Sequence, residues 1–372
     1  MKTQIIFEYK RIIRSKIIWL ILCGLIILTT LPYFGLPSSD KGQLLYEYRL
    51  EKMTAQQSYD SLKNIPKAHK TMKTMEKINH DAEHVVTALK NNQNYEGEAL
   101  TYWQSVQTAT ESGQLQGEQP VTIQMKIDRL SWAITHKERA TIPNKHMSAV
   151  AYLVYVLWEN ISTIVWLVAF SLIIINLYIP ENGEPGRKLI NQLPLTKWKK
   201  ILAKSIVALT SFMVIAIVSF TPILIFLIIK NKFGSLDQLL ISTANGQTII
   251  AQSSYTYLSN IILLSLLLMI IILFFQLIVV HFVKQSLTQI GMIIGILIAS
   301  QNTSIFSKGI ISNWFPLNYL DLNRIIIGKS DITNLFTNNG DVSTEKLTII
   351  LVVWSLGLIV LGTGLSYRRK TL

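Results

Sequence analysis

The sequence predicts an all-α membrane protein with six transmembrane helices, both termini in the cytoplasm, and an extracellular helical domain between the first and second spans. Half of the 372 residues are apolar. They are concentrated in runs of roughly 20, the length that crosses a bilayer as a helix. Several of the segments that separate these runs are strongly basic, which places them in the cytoplasm. Residues 37–147 are polar, nearly balanced in charge and patterned like amphipathic helices.

The net charge of +13 is compatible with nucleic-acid binding or with a membrane surface. The excess of Lys and Arg falls in the segments assigned to the cytoplasm, so it indicates anionic membrane lipid as the partner and no nucleic acid.

The single cysteine, Cys23, lies in the first apolar run. This chain therefore has no intrachain disulfide and no thiolate metal cluster.

The N-terminal segment, residues 1–16, alternates apolar and basic side chains at helical spacing. This pattern predicts an amphipathic helix on the inner leaflet, with a plain basic flank as the alternative.

Residues 17–36 form the first predicted span. A signal peptide would compete with this interpretation, but the apolar run continues past any cleavage point and predicts an uncleaved helix.

The extracellular segment, residues 37–147, carries an apolar stripe on an otherwise charged helix. Residues 99–110 and 121–139 are further helical candidates, so a hairpin or small bundle is expected. The members of the stripe recur at intervals of three, four or seven residues: Leu62, Ile65, Met72, Met75, Ala82, Val85 and Leu89.

The remaining boundaries follow from hydropathy and charge. They are a second span at 149–179, a cytoplasmic loop at 180–204, a third span at 205–229, a fourth at 257–282, a fifth at 287–300, an extracellular loop with re-entrant helices at 301–346, a sixth span at 347–365 and a cytoplasmic tail at 366–372.

One polar pair and one small-residue pattern fall within these spans. Glu159 and Asn160 lie near the outer interface, where a carboxylate is either functional or simply interfacial beside Trp158. Gly291 and Gly295 form a small-xxx-small pattern, which permits close helix packing within the chain or at a dimer seam.

One string matches a catalytic pattern. His80-Asp81-Ala82-Glu83-His84 is H-x-x-E-H, in which His80 and His84 share a helix face as two zinc ligands would, and Glu83 would be the base. An exposed amphipathic helix also produces such a string by chance, and no third ligand is evident. We therefore predict no metal site, with His80 and His84 as candidates and a membrane-anchored zinc metallopeptidase as an alternative function.

The loop between the second and third spans is polar, basic and broken by Pro and Gly. It contains Glu184, Gly186, then Leu193-Pro194-Leu195-Thr196-Lys197, and ends in a basic helix that reaches Lys204. Together with the amphipathic N-terminus and Asn313-Trp314-Phe315-Pro316-Leu317 before the last span, this pattern resembles ABC-2 type permeases, the membrane subunits of bacterial ABC exporters. The resemblance covers residues 1–36 and 150–372. Residues 37–147 depart from the simplest members, whose first outer loop is short.

The resemblance implies a permease subunit that exports a peptide, lipid-like or drug-like substrate from a bacterial plasma membrane. A second permease subunit and a cytoplasmic ABC ATPase would be its partners. The ATPase would hold ATP and Mg²⁺, and this chain would need no cofactor and no catalytic residue. An ordinary basic loop is the alternative to the implied coupling role of Glu184, Gly186, Arg187, Lys188, Pro194, Lys197 and Lys204.

The composition, rich in Ile, Lys and Asn, is typical of a Gram-positive source. A second alternative function is a non-transporting peptide sensor or immunity protein that binds its ligand through residues 37–147.

Overall fold

The computed structural model describes residues 2–63, 65, 68–115, 119–136, 143–178, 197–244, 248–283, 285–299, 314, 316–320, 322–327 and 344–368. They divide into two compact units. We call Met1–Phe34, Ala149–Gly234 and Tyr255–Leu372 the membrane unit. We call Gly35–Ser148 and Ser235–Ser254 the helical unit.

The chain is mostly helical, as the sequence predicts. In chain order the elements are α1 (Lys2–Arg14), α2 (Lys16–Gly35), α3 (Lys41–Leu62), α4 (His69–Lys90), α5 (Glu96–Glu111), α6 (Pro120–His136), α7 (Ala149–Tyr155), a π-helical turn (Val156–Asn160), α8 (Thr163–Tyr178), α9 (Lys197–Asn231), β1 (Leu239–Ala244), β2 (Thr248–Ser253), α10 (Ser254–Phe282), α11 (Ser286–Ala299), a 3₁₀ turn (Pro316–Tyr319), α12 (Leu322–Ile327) and α13 (Thr344–Arg368).

Within the described ranges, four helices are long and apolar enough to cross a membrane. A fifth span arises if α7, the π-helical turn and α8 together cross once. The six-span topology with cytoplasmic termini remains a prediction. The long apolar segments are Lys16–Gly35, Lys199–Asn231, Ser254–Val279 and Thr344–Gly362.

The predicted second span, 149–179, is not one continuous helix. Ala149–Asn160 and Thr163–Tyr178 meet at a bend of 88°. Ile161 is extended, and its N–H donates 2.9 Å back to the Val156 carbonyl, which closes the π-helical turn. The Ser162 hydroxyl then accepts from the Ile164 N–H at 3.4 Å. The first helix thus ends at Asn160, and the Ser162 hydroxyl caps the N-terminus of α8, a role that serine commonly has.

The predicted third span is longer than expected because α9 begins at Lys197 and runs through Pro222 for 35 residues. A proline removes one backbone donor and displaces carbonyls of the preceding turn, which neighbouring side chains can satisfy. Thr29, three residues before Pro32 of α2, donates its hydroxyl to the Ser219 carbonyl at 2.9 Å. The Tyr152 hydroxyl in turn donates to the Thr29 carbonyl at 2.8 Å. The two proline-containing helices are therefore joined at their weakened turns.

In the helical unit, α3 to α6 pack each against the next around one apolar core. Met75, Ala82, Val85 and Leu89 of the predicted stripe are buried in that core. Ile65 is not, because α3 ends at Leu62 and α4 starts at His69, which leaves Ile65 50% exposed in the connection. The predicted stripe therefore crosses a helix boundary at Ile65. The helices expected at 99–110 and 121–139 are present as α5 and α6.

The helical unit also contains a β-hairpin, which departs from the all-α prediction. Strands β1 and β2 are antiparallel and pair from Leu239 with Ser253 to Ala244 with Thr248. Both strands contact α6. The predicted span boundaries at 229 and 257 leave only a short connecting loop here. Its sequence contains Asn245-Gly246 between apolar and β-branched runs, and this is the strongest short signal for a hairpin.

Candidate functional sites

Of the predicted coupling loop, residues 180–204, the structure describes 197–204. Glu184, Gly186, Arg187, Lys188 and Pro194 lie outside the described residues. Lys197 is the first residue of α9, and only its backbone is described. The site can therefore be built from Tyr178, where α8 ends, and from Lys204, which lies two turns into α9.

Lys204 is buried rather than presented at the surface. Its side chain is 2% exposed, and Nζ donates to the Leu177 carbonyl at 3.1 Å. The same ammonium lies 4.5 Å from the centre of the Tyr178 ring. Leu177 belongs to the last turn of α8, whose carbonyls lack helical partners and carry the negative end of the helix dipole. A cation at this point stabilises the helix end where the loop begins.

A second cation reaches the same carbonyl from α1. The Arg11 guanidinium donates to the Leu177 oxygen and lies 2.9 Å from the carboxylate of Glu8. Glu8 is fully buried and also accepts from the Gln4 amide at 2.9 Å. Tyr9 adds a hydroxyl contact to Thr210 of α9. We call Gln4, Glu8, Arg11, Leu177 and Lys204 the junction cluster.

The junction cluster gives α1 an unusual orientation. Its buried positions are Gln4, Glu8 and Ile12, four residues apart on one face. Its exposed positions include Ile6 and Ile13, the latter 59% exposed. The buried face therefore carries two polar residues, and the exposed face mixes apolar and basic side chains, as suits a helix at an anionic lipid surface. The exposed residues include Ile6, Phe7 and Ile13 together with Lys2, Lys10 and Arg14. The predicted amphipathic pattern is present, although Ile12 lies on the buried face.

Glu159 and Asn160 are exposed at the end of the π-helical turn. The Asn160 amide donates back to the Tyr155 carbonyl at a long 3.4 Å. A residue that sequence reasoning missed, Asn323 of α12, is buried beside this turn and donates to the Leu157 carbonyl. Asn323 also accepts from the Tyr257 hydroxyl at 2.9 Å. The short helix predicted before the last span thus supports the bend between α7 and α8.

Gly291 and Gly295 lie on exposed positions of α11. An added Cβ at either position would meet nothing within 4 Å among the described residues. This placement leaves the small-residue face uncovered within that part of the chain, and the choice between internal packing and a dimer seam stays a prediction.

The histidines of the H-x-x-E-H string lie together on the outer face of α4. The Nε2 atoms of His80 and His84 are 3.3 Å apart. Glu83 turns to Lys52 of α3, whose Nζ lies 3.0 Å from its carboxylate. The hydrogen bond and charge of Lys52 lower the pKa of Glu83. A carboxylate paired in this way does not face the two imidazoles as a general base would. Among the described residues, no group of three or more His, Cys, Asp or Glu side chains could hold a metal ion.

Comparison with protein-family models, curated proteins and solved structures gave no significant match.

Proposed function

We propose that this chain is the permease subunit of an ATP-driven exporter that moves a peptide, lipid-like or drug-like substrate out of a bacterial plasma membrane. The observation that carries the proposal is the junction cluster. It ties an N-terminal helix to the end of α8 and the start of α9. The predicted basic loop lies between these two points in the sequence.

The cluster supports transmission of force because its contacts are buried and charged. A push on residues 181–196 would reach Leu177 at one end of the loop and Lys204 at the other. Lys204 donates to the Leu177 carbonyl, and Arg11 of α1 donates to the same oxygen. A separate ATPase that binds the loop more tightly in one of its states would shift the helices with it, since a ligand changes an equilibrium only through differential affinity.

The proposal includes two partners, a cytoplasmic ABC ATPase and a second permease subunit, with ATP and Mg²⁺ held by the ATPase. Glu184, Gly186, Arg187, Lys188, Pro194 and Lys197 would contact the ATPase or anionic lipid headgroups, while Lys204 would fix the loop to the membrane unit.

Co-purification tests this proposal. The full chain, tagged in its native cell and gently solubilised, should retain a stoichiometric soluble ATPase. Replacing Pro194 with Ala and Lys197 with Glu should remove that ATPase. Lys77→Ala, an exposed charge change on α4, should not. A chain that purifies without an ATPase, with the loop intact, would refute the permease assignment.

A further inference from the structure

We propose that His80 and His84 form a binding site for one divalent transition-metal ion on the surface of the helical unit, with Zn²⁺ as the probe. The site lies outside the junction cluster and goes beyond the proposed function. It has two protein ligands and leaves the other coordination positions to water.

The first argument is the spacing of the two nitrogens. Zinc binds imidazole nitrogen at about 2.0–2.1 Å in tetrahedral geometry, which places two such nitrogens about 3.3 Å apart. The Nε2 atoms of His80 and His84 are separated by 3.3 Å. Their rings lie 4.4 Å apart at 46°, on consecutive turns of α4. The spacing of the two nitrogens is therefore that of two ligands of one ion.

The second argument is the chemistry behind each ring. A ligating histidine needs a neutral ring whose other nitrogen carries the proton, usually facing a carboxylate. Asp81 lies 3.8 Å from Nδ1 of His80. Glu98 of α5 lies 4.0 Å from Nδ1 of His84. Both carboxylates lie beyond hydrogen-bond distance of the rings, but each is close enough to attract a proton on Nδ1 electrostatically. Without a metal ion the two Nε2 atoms share one hydrogen bond, donated by the ring that carries its proton there. A bound ion would replace that hydrogen bond, with both rings protonated on Nδ1.

The third argument is access. His80 and His84 have side-chain exposures of 69% and 52%, so water can complete the coordination shell. Imidazole suits zinc and copper better than calcium or magnesium, which prefer oxygen. Lys77 lies one turn from His80 and opposes a bare cation, so the site should bind with moderate affinity and release the ion readily.

Isothermal titration of the metal-free full chain in detergent with Zn²⁺ tests the site. We expect saturable binding of one ion. His80→Ala and His84→Ala should each weaken it at least tenfold, which corresponds to about 1.4 kcal/mol. Both side chains are exposed, so the variants should keep the helical circular dichroism of the parent. His136→Ala is the matched control, because His136 is exposed in the same unit and stacks on Trp132 at 4.4 Å.

Two outcomes would overturn the assignment. One is absence of zinc binding by the parent chain. The other is equal affinity in the parent, His80→Ala and His84→Ala, which would place any bound zinc elsewhere. Glu98→Gln should weaken binding several-fold through His84, and unchanged affinity in that variant would remove the orienting role of Glu98.

Discussion

Replacing Glu8 with glutamine tests whether a buried charge holds the junction cluster together. The carboxylate of Glu8 is fully buried and lies 2.9 Å from Arg11. Glu8→Gln keeps the shape and an acceptor for Gln4, but it removes the negative charge that balances Arg11. Breaking a buried ion pair costs about 3–5 kcal/mol. Because Arg11 keeps 20% side-chain exposure, we expect a loss of about 3 kcal/mol, the lower end of that range.

The measurement is the thermal unfolding midpoint of the purified full chain, followed by tryptophan fluorescence. For a unit of this size, about 2–4 °C are lost per kcal/mol, so the midpoint should fall by roughly 6–12 °C. Lys10→Gln is the matched control, since Lys10 is an exposed charge on the same helix. Its effect should stay within about 0.5 kcal/mol.

Equal midpoints for Glu8→Gln and Lys10→Gln would refute the reasoning, because they would show that the pair is solvated rather than buried. The double variant Glu8→Gln/Arg11→Gln adds a second check. It should be more stable than Glu8→Gln alone, since it no longer leaves a buried cation without its anion.

Three further predictions concern the packing within each unit. Tyr152→Phe removes the hydrogen bond to the Thr29 carbonyl, which lies three residues before Pro32, and should cost about 0.6–1.7 kcal/mol in thermal unfolding. Tyr155→Phe, which removes no hydrogen bond among the described residues, should cost nothing measurable. Ile123→Ala empties a fully buried core position and should cost about 2–5 kcal/mol, clearly more than Ile134→Ala at a 42% exposed position. Burial raises the pKa of Tyr48 above its ordinary 10.0. Its neutral form therefore stabilises the fold below about pH 10, and that contribution is lost as pH rises further. Tyr48→Phe should flatten the alkaline loss of stability.

The sequence was most informative where helices face water. Met75, Ala82, Val85 and Leu89 alternate with charged residues on α4, and all four are buried. The period is readable because water selects against apolar residues on the other face. The hairpin at Leu239–Ser253 was missed for a different reason. Its strands are short and lie between long apolar runs, so the hydropathy profile does not distinguish them, and Asn245-Gly246 between the two strands is the one local signal of the hairpin.

Hydropathy also could not locate the break at Ile161 and Ser162. Both residues sit in an apolar run that is long enough to span, and the bend depends on local hydrogen bonds of the Ser162 hydroxyl and the Val156 carbonyl. The supporting contact from Asn323 arrives from a segment more than 150 residues later. A local sequence pattern cannot predict this hydrogen bond, because its two partners are brought together only by tertiary packing, where a buried amide must find an acceptor.

The junction cluster shows why the site was the hardest part to predict. In water, burying Gln4 and Glu8 while exposing Ile6 and Ile13 would be strongly unfavourable. In lipid, the exposed isoleucines cost nothing, and the polar groups must find partners inside the protein. Apolar periodicity located α1 but could not say which face meets the protein. Glu8, the only acidic residue in α1, lies three residues before Arg11, and a buried carboxylate needs a paired cation. In the structure this pair and the donation of Arg11 and Lys204 to the Leu177 carbonyl make α1 one end of a buried network. These tertiary contacts set which face of α1 meets the protein, and apolar periodicity does not record them.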